Sequence, residues 1–257
     1  MKKRKFSLFI LVIFALVILG ATKAYAAPDT IPVPKVNISV DKATNPKDYV
    51  DNIKLLVMLT VLSLLPSFLV MMTSFTRIII VLGFMRNALG TQQAPPNQIL
   101  IGIALFLTIF IMAPTYKTIN KEAIKPFIEN KITGQQAIDN ASKPMREFML
   151  KQTRDKDLEL FLDISKTDKA KITKDNVPMY VVIPSFIISE LKTAFKIGFL
   201  LYIPFLIIDI VVASVLMSMG MFMLPPVMIS LPFKILLFVM VDGWYLLVKS
   251  LIMGYSS

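Results

Sequence analysis

Residues 181–226 read VVIPSFIISELKTAFKIGFLLYIPFLIIDIVVASVLMSMGMFMLPP. Up to Met223 this run holds only four charged residues, Glu190, Lys192, Lys196 and Asp209, and it stops at Pro225-Pro226. An apolar stretch of that length reads as helix, and it exceeds the roughly 20 residues that cross a bilayer core. Past the prolines the apolar character resumes as Val227–Val248, which carries only Lys234 and Asp242. The same order occurs upstream: Leu55–Met72 is uncharged, apolar residues continue past Arg77 to Met85, Pro95-Pro96 breaks the chain, and Ile99–Tyr116 is again uncharged. Asn97, directly after the first proline pair, is expected to cap the helix that follows. The predicted fold is an all-α membrane protein of two long helical hairpins, each with a Pro-Pro turn and a shorter second arm. The matching places of the two proline pairs hint at an internal repeat.

Between these hairpins lies a polar insert, residues 117–178, with 13 Lys+Arg and 10 Asp+Glu interleaved. Mixed signs of this kind mark a solvated face. Within the insert Met145, Phe148 and Met149, then Leu158, Phe161 and Leu162, recur at i, i+3, i+4, the spacing of an amphipathic helix. The predicted organisation is a signal peptide over 1–26, a polar extracytoplasmic segment over 27–52, a first apolar hairpin over 53–116, the charged extracytoplasmic insert over 117–178 and a second hairpin over 179–257.

Composition agrees and removes whole classes of chemistry. Of 257 residues 55% are hydrophobic, with a mean hydropathy of +0.67, above the soluble norm. There is no His and no Cys. Thiolate nucleophiles, imidazole bases, Ser-His-Asp triads and Cys/His zinc sites are thereby excluded, and so is any disulfide. No cofactor, metal or enzymatic activity is expected. The formal net charge of +11 begins with Lys2-Lys3-Arg4-Lys5, which precedes an apolar run from Phe6 to Ala21 and then Ala24-Tyr25-Ala26. That is the pattern of a secretory signal cleaved after Ala26. Cleavage removes five cations and no anions, which takes +11 to +6. The remaining cations have no stacking aromatics between them and no Gly-rich phosphate loop, so nucleic-acid binding is not expected.

Two features invite a functional reading. The first is the set of charges within or beside apolar runs: Arg77, Glu190, Lys192, Lys196, Asp209, Lys234 and Asp242. An unpaired charge at the centre of a membrane helix costs about 2.5–3.5 kcal/mol on insertion scales, so such groups pair or face water. The expected pairing joins the hairpins, Asp209 with Lys234 or with Arg77. Structural glue between helices or subunits and a proton relay are both open readings. The second is Met217-Ser218-Met219-Gly220-Met221-Phe222-Met223, just before Pro225-Pro226. Methionines fill irregular gaps in cores; ringed around an axis, the same flexible thioethers would seal a pore.

Six ordered blocks carry a specific resemblance. They are residues 71–81 (MMTSFTRIIIV), 86–90 (RNALG), 94–98 (APPNQ), 144–149 (PMREFM), 189–199 (SELKTAFKIGF) and 231–244, which opens LPFK and closes VDGW. From about residue 50 to 252 the chain resembles the FliP family of flagellar type III export-gate proteins. The resemblance implies a subunit of an oligomeric ring in the bacterial inner membrane at the flagellar basal body. Copies of the chain would assemble there with FliQ and FliR, near FlhB and FlhA, around a channel for unfolded flagellar subunits. It implies a gasket at Met221, Phe222 and Met223, where Phe222 replaces the usual Met, with Gly220, Pro225 and Pro226 as its hinge. It also implies that Arg77, Glu190, Lys192, Asp209, Lys234 and Asp242 are buried charges at subunit contacts, in a gate raised partly out of the bilayer plane. The homologous virulence (injectisome) gate and an ion-coupled small-solute transporter are the alternatives.

Overall fold

The structure, a computed structural model, describes residues 46–91, 93–165, 173 and 176–256. Residues 1–26, read as a signal peptide, and residues 27–45 of the polar segment lie outside the described residues. The chain divides into two units, residues 1–54 and 55–257; of the first, only the opening turns of one helix are described. That helix, α1, spans Pro46–Met71, so the end of the segment expected to be irregular is helical. Proline is well suited to a first helical turn, where its missing N–H would have no partner anyway.

The helices that follow are α2 (Phe75–Leu89), α3 (Asn97–Ile119), α4 (Lys125–Ile128), α5 (Gly134–Gln152), α6 (Asp155–Ile164), α7 (Met179–Ser218), α8 (Pro226–Met240) and α9 (Gly243–Ser256). A π-helical turn, Asn120–Ile124, joins α3 to α4, and residues 97–128 form one continuous helical run. No strand occurs among the described residues. By length and composition residues 97–128 and 179–218 can each cross a membrane, and α8 with α9 adds a third span if that bent pair counts as one. At about 1.5 Å per residue the 40-residue α7 is about 60 Å long, twice the thickness of a hydrocarbon core.

Two apolar arms read as continuous in the sequence are divided. The run from Leu55 to Met85 breaks at Met72-Thr73-Ser74, where the Thr73 hydroxyl donates to the Val70 carbonyl and Ser74 is buried. A hydroxyl that bonds nearby backbone competes with the helix ladder, as that of Thr73 does at this break. The arm Val227–Val248 bends by 62° between α8 and α9. Asp242 takes φ +51° there, a left-handed conformation that Asp tolerates better than most residues. Gly243 follows because the Phe238 ring occupies the space where a Cβ would stand, at 2.2 Å.

Because of the first break, α2 turns inward and becomes the axis of the core. Ile78, Val81, Leu82, Met85, Ala88 and Leu89 are buried against Leu100 and Ala104 of α3, Ala194 and Phe205 of α7, Phe238 of α8, and Leu247 and Leu251 of α9. The most extensive packing is between α2 and α7. Ala194 and Gly198, four residues apart on one face of α7, admit the Phe84 side chain, whose ring meets Phe195 edge-on with centroids 5.2 Å apart. A Cβ on Gly198 would stand 2.5 Å from that ring and 2.9 Å from Phe84 Cβ. Small residues spaced by four are how membrane helices bring backbones together.

The insert builds a second, smaller core. Met145, Phe148 and Met149 of α5 and Leu158, Phe161 and Leu162 of α6 pack on Val181, Val182 and Phe186 at the start of α7. Thr133 opens α5 with a reciprocal capping box to Gln136. Polar contacts pin the corner between α5 and α6: the Arg154 N–H donates to Ser189 Oγ (3.1 Å), and the Ser189 hydroxyl donates to Asp157 Oδ2 (2.6 Å). The Arg154 guanidinium also pairs with Asp157. Partial burial pushes the Asp157 carboxyl up, but the Ser189 and Arg154 donors, with the charge of Lys192 beyond them, hold it below the ordinary aspartate range.

Two outcomes follow. Gly198→Ala should lower the stability of the detergent-solubilised protein by about 1–3 kcal/mol through overpacking, and adding Phe84→Ala should restore part of it; an unchanged melting temperature for Gly198→Ala would contradict the close approach. A carboxyl depressed in the folded state stabilises above its unfolded pKa, and that stability is lost as pH falls through the folded value. Intrinsic-rate-corrected hydrogen-exchange protection of residues 155–164 should therefore hold from neutral pH down to about 4, then fall roughly tenfold, as expected for charge-assisted hydrogen bonds. Asp157→Asn should show the lower protection already at pH 7.

Candidate functional site

Three polar constellations and one apolar tip stand out. The largest is centred on Arg77, which is 4% exposed beside a fully buried Glu190. Its guanidinium grips that carboxylate with two donors, Nε to Oε2 at 2.9 Å and Nη2 to Oε1. Nη2 also donates to Gln152 Oε1 (3.1 Å), Nη1 to the Gly254 carbonyl (3.4 Å), and the group stacks 3.9 Å over the Tyr255 ring. The Tyr255 hydroxyl donates in turn to Glu190 Oε2. Residues from α2, α5, α7 and α9 thus converge on one cation.

The second constellation joins α7 to α8. Lys234 Nζ donates to Asp209 Oδ2 at 2.6 Å, and the buried Ser230 hydroxyl donates to Asp209 Oδ1. Of the two cations expected for Asp209, Lys234 takes it and Arg77 does not. Glu190 and Asp209 are 19 residues apart on α7, about 28 Å along the axis, and Arg77 lies at the level of Glu190. The pairing that bridges the two apolar regions is therefore Arg77 with Glu190. The third constellation is the Arg154–Asp157–Ser189 corner.

Two of the charges expected to be buried are exposed in the single chain: Lys192 and Asp242. Lys192 is two residues from Glu190 and so points away from the face that packs on α2. Asp242 stands at the α8–α9 bend. Arg77 is interior, whereas Arg86 lies at the end of α2 and donates to Asn97 Oδ1 (2.6 Å) and the Pro95 carbonyl (3.4 Å). Asn97 is consequently the first residue of α3 and not its cap; Pro96 holds the cap position with no side-chain hydrogen bond.

The apolar tip lies between α7 and α8. Gly220 takes φ +74°, and its N–H reaches the Met217 carbonyl while the Met221 N–H reaches Leu216, both at 3.0 Å. These are the two bonds of a Schellman motif, in which glycine avoids the strain of a left-handed residue. Pro225 then caps α8 and Pro226 opens it. Met221 is 41% exposed, Phe222 78% and Met223 97%, so in the single chain this cluster is not packed into a core. The break between α2 and α3 also begins at a left-handed glycine, Gly90 at φ +77°, and ends at Pro95-Pro96. In both breaks five positions separate the glycine from the first proline.

Sequence reasoning missed Tyr255, Gln152, Ser189 and Asp157. The available signal was hydroxyls embedded in apolar runs, namely Ser185, Ser189 and Ser230, which the structure buries.

The FliP family pattern matches residues 58–251. A flagellar biosynthetic protein FliP of Bacillus subtilis is 60% identical over 218 residues, 85% of this chain and 98% of that protein. One from Buchnera aphidicola of Acyrthosiphon pisum is 58% identical over 80% of this chain and 54% of its own length, and one from Aquifex aeolicus 51% identical over 87% and 92%. The chain belongs to the FliP family.

Proposed function

We propose that the chain is a ring subunit of the flagellar protein-export gate in the bacterial inner membrane. It would be targeted there by the signal peptide cleaved after Ala26 and span the membrane several times. In this reading the two helical hairpins turn at their Pro-Pro pairs. Copies assemble with FliQ and FliR, near FlhB and FlhA, around a channel that passes unfolded flagellar subunits. The observation that carries the reading is the tip. Three large apolar side chains, Met221, Phe222 and Met223, stand in the open on a backbone held by a glycine cap and a proline start. Exposed apolar clusters of this kind are retained for contact, and in a ring they meet their symmetry copies around the axis. Met221 and Met223 supply compliance, and Phe222 a stiffer plug between them. Gly220, Pro225 and Pro226 set the angle of the tip.

The charged residues serve cohesion. Arg77, Glu190, Asp209 and Lys234 hold each subunit together, while exposed Lys192 and Asp242 remain free to meet neighbouring subunits. The protein conducts and does not catalyse. Ion-coupled transport is disfavoured because the two carboxylates of the long apolar helix α7 are already paired, Glu190 with Arg77 and Asp209 with Lys234. The flagellar branch is favoured over the injectisome because the relatives carry the flagellar name.

Replacing Met221 and Met223 together by Ala should leave assembly intact and raise the small-ion conductance of the reconstituted gate severalfold; an unchanged conductance would remove the gasket. Asp209→Ala leaves Lys234 buried without its partner, a loss of about 3–5 kcal/mol, and should abolish the oligomer on a native gel. Adding Lys234→Met should restore it. If Asp209→Ala assembles normally yet fails to export, Asp209 acts in conduction and not in cohesion.

A further inference from the structure

We infer that Met221 and Met223 form a reversible oxidation site, at which a peroxide-class oxidant turns the tip from an apolar seal into a polar, leaking one. The inference deepens the reading of the tip as a gasket and rests on it. Methionine is the only sulfur-bearing residue in a chain without Cys, and a thioether is oxidised where a water-borne oxidant reaches it. Met85, Met112 and Met149 are at most 1% exposed, whereas Met223 stands almost wholly in the open and Met221 partly so. The backbone explains why the tip is reached. Between the glycine cap at Gly220 and the start of α8, the N–H groups of Phe222, Met223 and Leu224 have no acceptor among the described residues. Open donors of this kind do not sit in hydrocarbon; they call for water beside them. Met58 and Met253 are exposed in the single chain too, but they lie within α1 and α9, whose helical backbone permits an apolar cover.

The chemistry is balanced. A sulfur lone pair attacks one oxygen of hydrogen peroxide, the O–O bond breaks as the S–O bond forms, and the displaced oxygen leaves as water with both protons. The thioether loses two electrons and the peroxide gains them. Sulfoxide reductases reverse the change, oxidising a pair of thiols to a disulfide and releasing the oxygen as water. The product is unsuited to a seal. A sulfoxide oxygen accepts hydrogen bonds strongly, so it draws water onto a surface that had excluded it. Phe222 is untouched by the same oxidant, so the stiff ring stays apolar while the yielding side chains on both sides of it become wet. A channel that opens for cargo brings these side chains to water again and again, which places the oxidation at the axis itself.

The reconstituted gate is treated with hydrogen peroxide, and peptide mass spectrometry and small-ion conductance are read on the same sample. Sulfoxide should form at Met221 and Met223 about tenfold faster than at Met85, Met112 and Met149, and faster than at Met58 and Met253. Conductance should rise severalfold, and fall back on incubation with methionine sulfoxide reductases and a dithiol. In Met221→Leu/Met223→Leu, which has no thioether at the tip, conductance after peroxide should equal conductance before it. Core methionines that oxidise as fast as those of the tip would overturn the inference. So would a rise in conductance that survives the two Leu substitutions, or tip oxidation with no rise at all. The Met221→Ala/Met223→Ala gate tells the two readings apart. If it leaks while the oxidised wild-type gate does not, the oxidation switch falls and the gasket stands; if neither leaks, both fall.

Discussion

A guanidinium that cannot reach water must be met on every side, and Arg77 is the point on which this chain organises itself. Its donors are taken by a carboxylate from α7, an amide from α5 and a backbone carbonyl from α9, while an aromatic ring covers its face. None of these groups is near Arg77 in sequence. Satisfying one cation therefore fixes where four helices stand relative to each other. Dispersion and apolar burial gather the helices but tolerate sliding; a forked donor with fixed directions does not.

The same requirement explains why α2, short and mostly apolar, is interior and not a lipid-facing span. A helix that carries an arginine toward one end is placed where partners exist, and the break at Met72-Thr73-Ser74 gives it the change of direction to get there. With α2 inside, α3, α7 and the α8–α9 pair must wrap it and present their remaining apolar faces outward. Gly198 then matters because it lets the longest helix come close enough for Glu190 to be within reach.

Much of this was legible from the amino acids. Apolar length, the proline pairs and the i, i+3, i+4 spacing of Met145, Phe148 and Met149 are local signals, and the helices they predict are present. The Met-rich tip could be located because composition changes abruptly there. What could not be read was which charge meets which, since that depends on how far along each helix a residue sits. Asp209 and Glu190 look alike in the sequence, yet the length of α7 between them sends one to Lys234 and the other to Arg77. The Asn97 cap failed for a related reason: Arg86, eleven residues earlier, claims its side chain. The family resemblance supplied what single residues did not, the ground for proposing a gate at the Met-rich break.

The two breaks that share a left-handed glycine five positions before a proline pair separate form from content. In each, the course of the backbone is dictated by Gly90 or Gly220 at one end and by prolines at the other, residues whose influence is conformational. Of the residues between that the structure describes, Thr91 shares that duty, its hydroxyl donating to the Arg86 and Ala94 carbonyls. The four residues between read Thr-Gln-Gln-Ala in one break and Met-Phe-Met-Leu in the other. A sequence arranged in this way can exchange the character of a tip, wet or oily, stiff or yielding, without renegotiating its fold. The methionines and the phenylalanine can thus be selected for what the tip does, because in the single chain they stand outside the packed core.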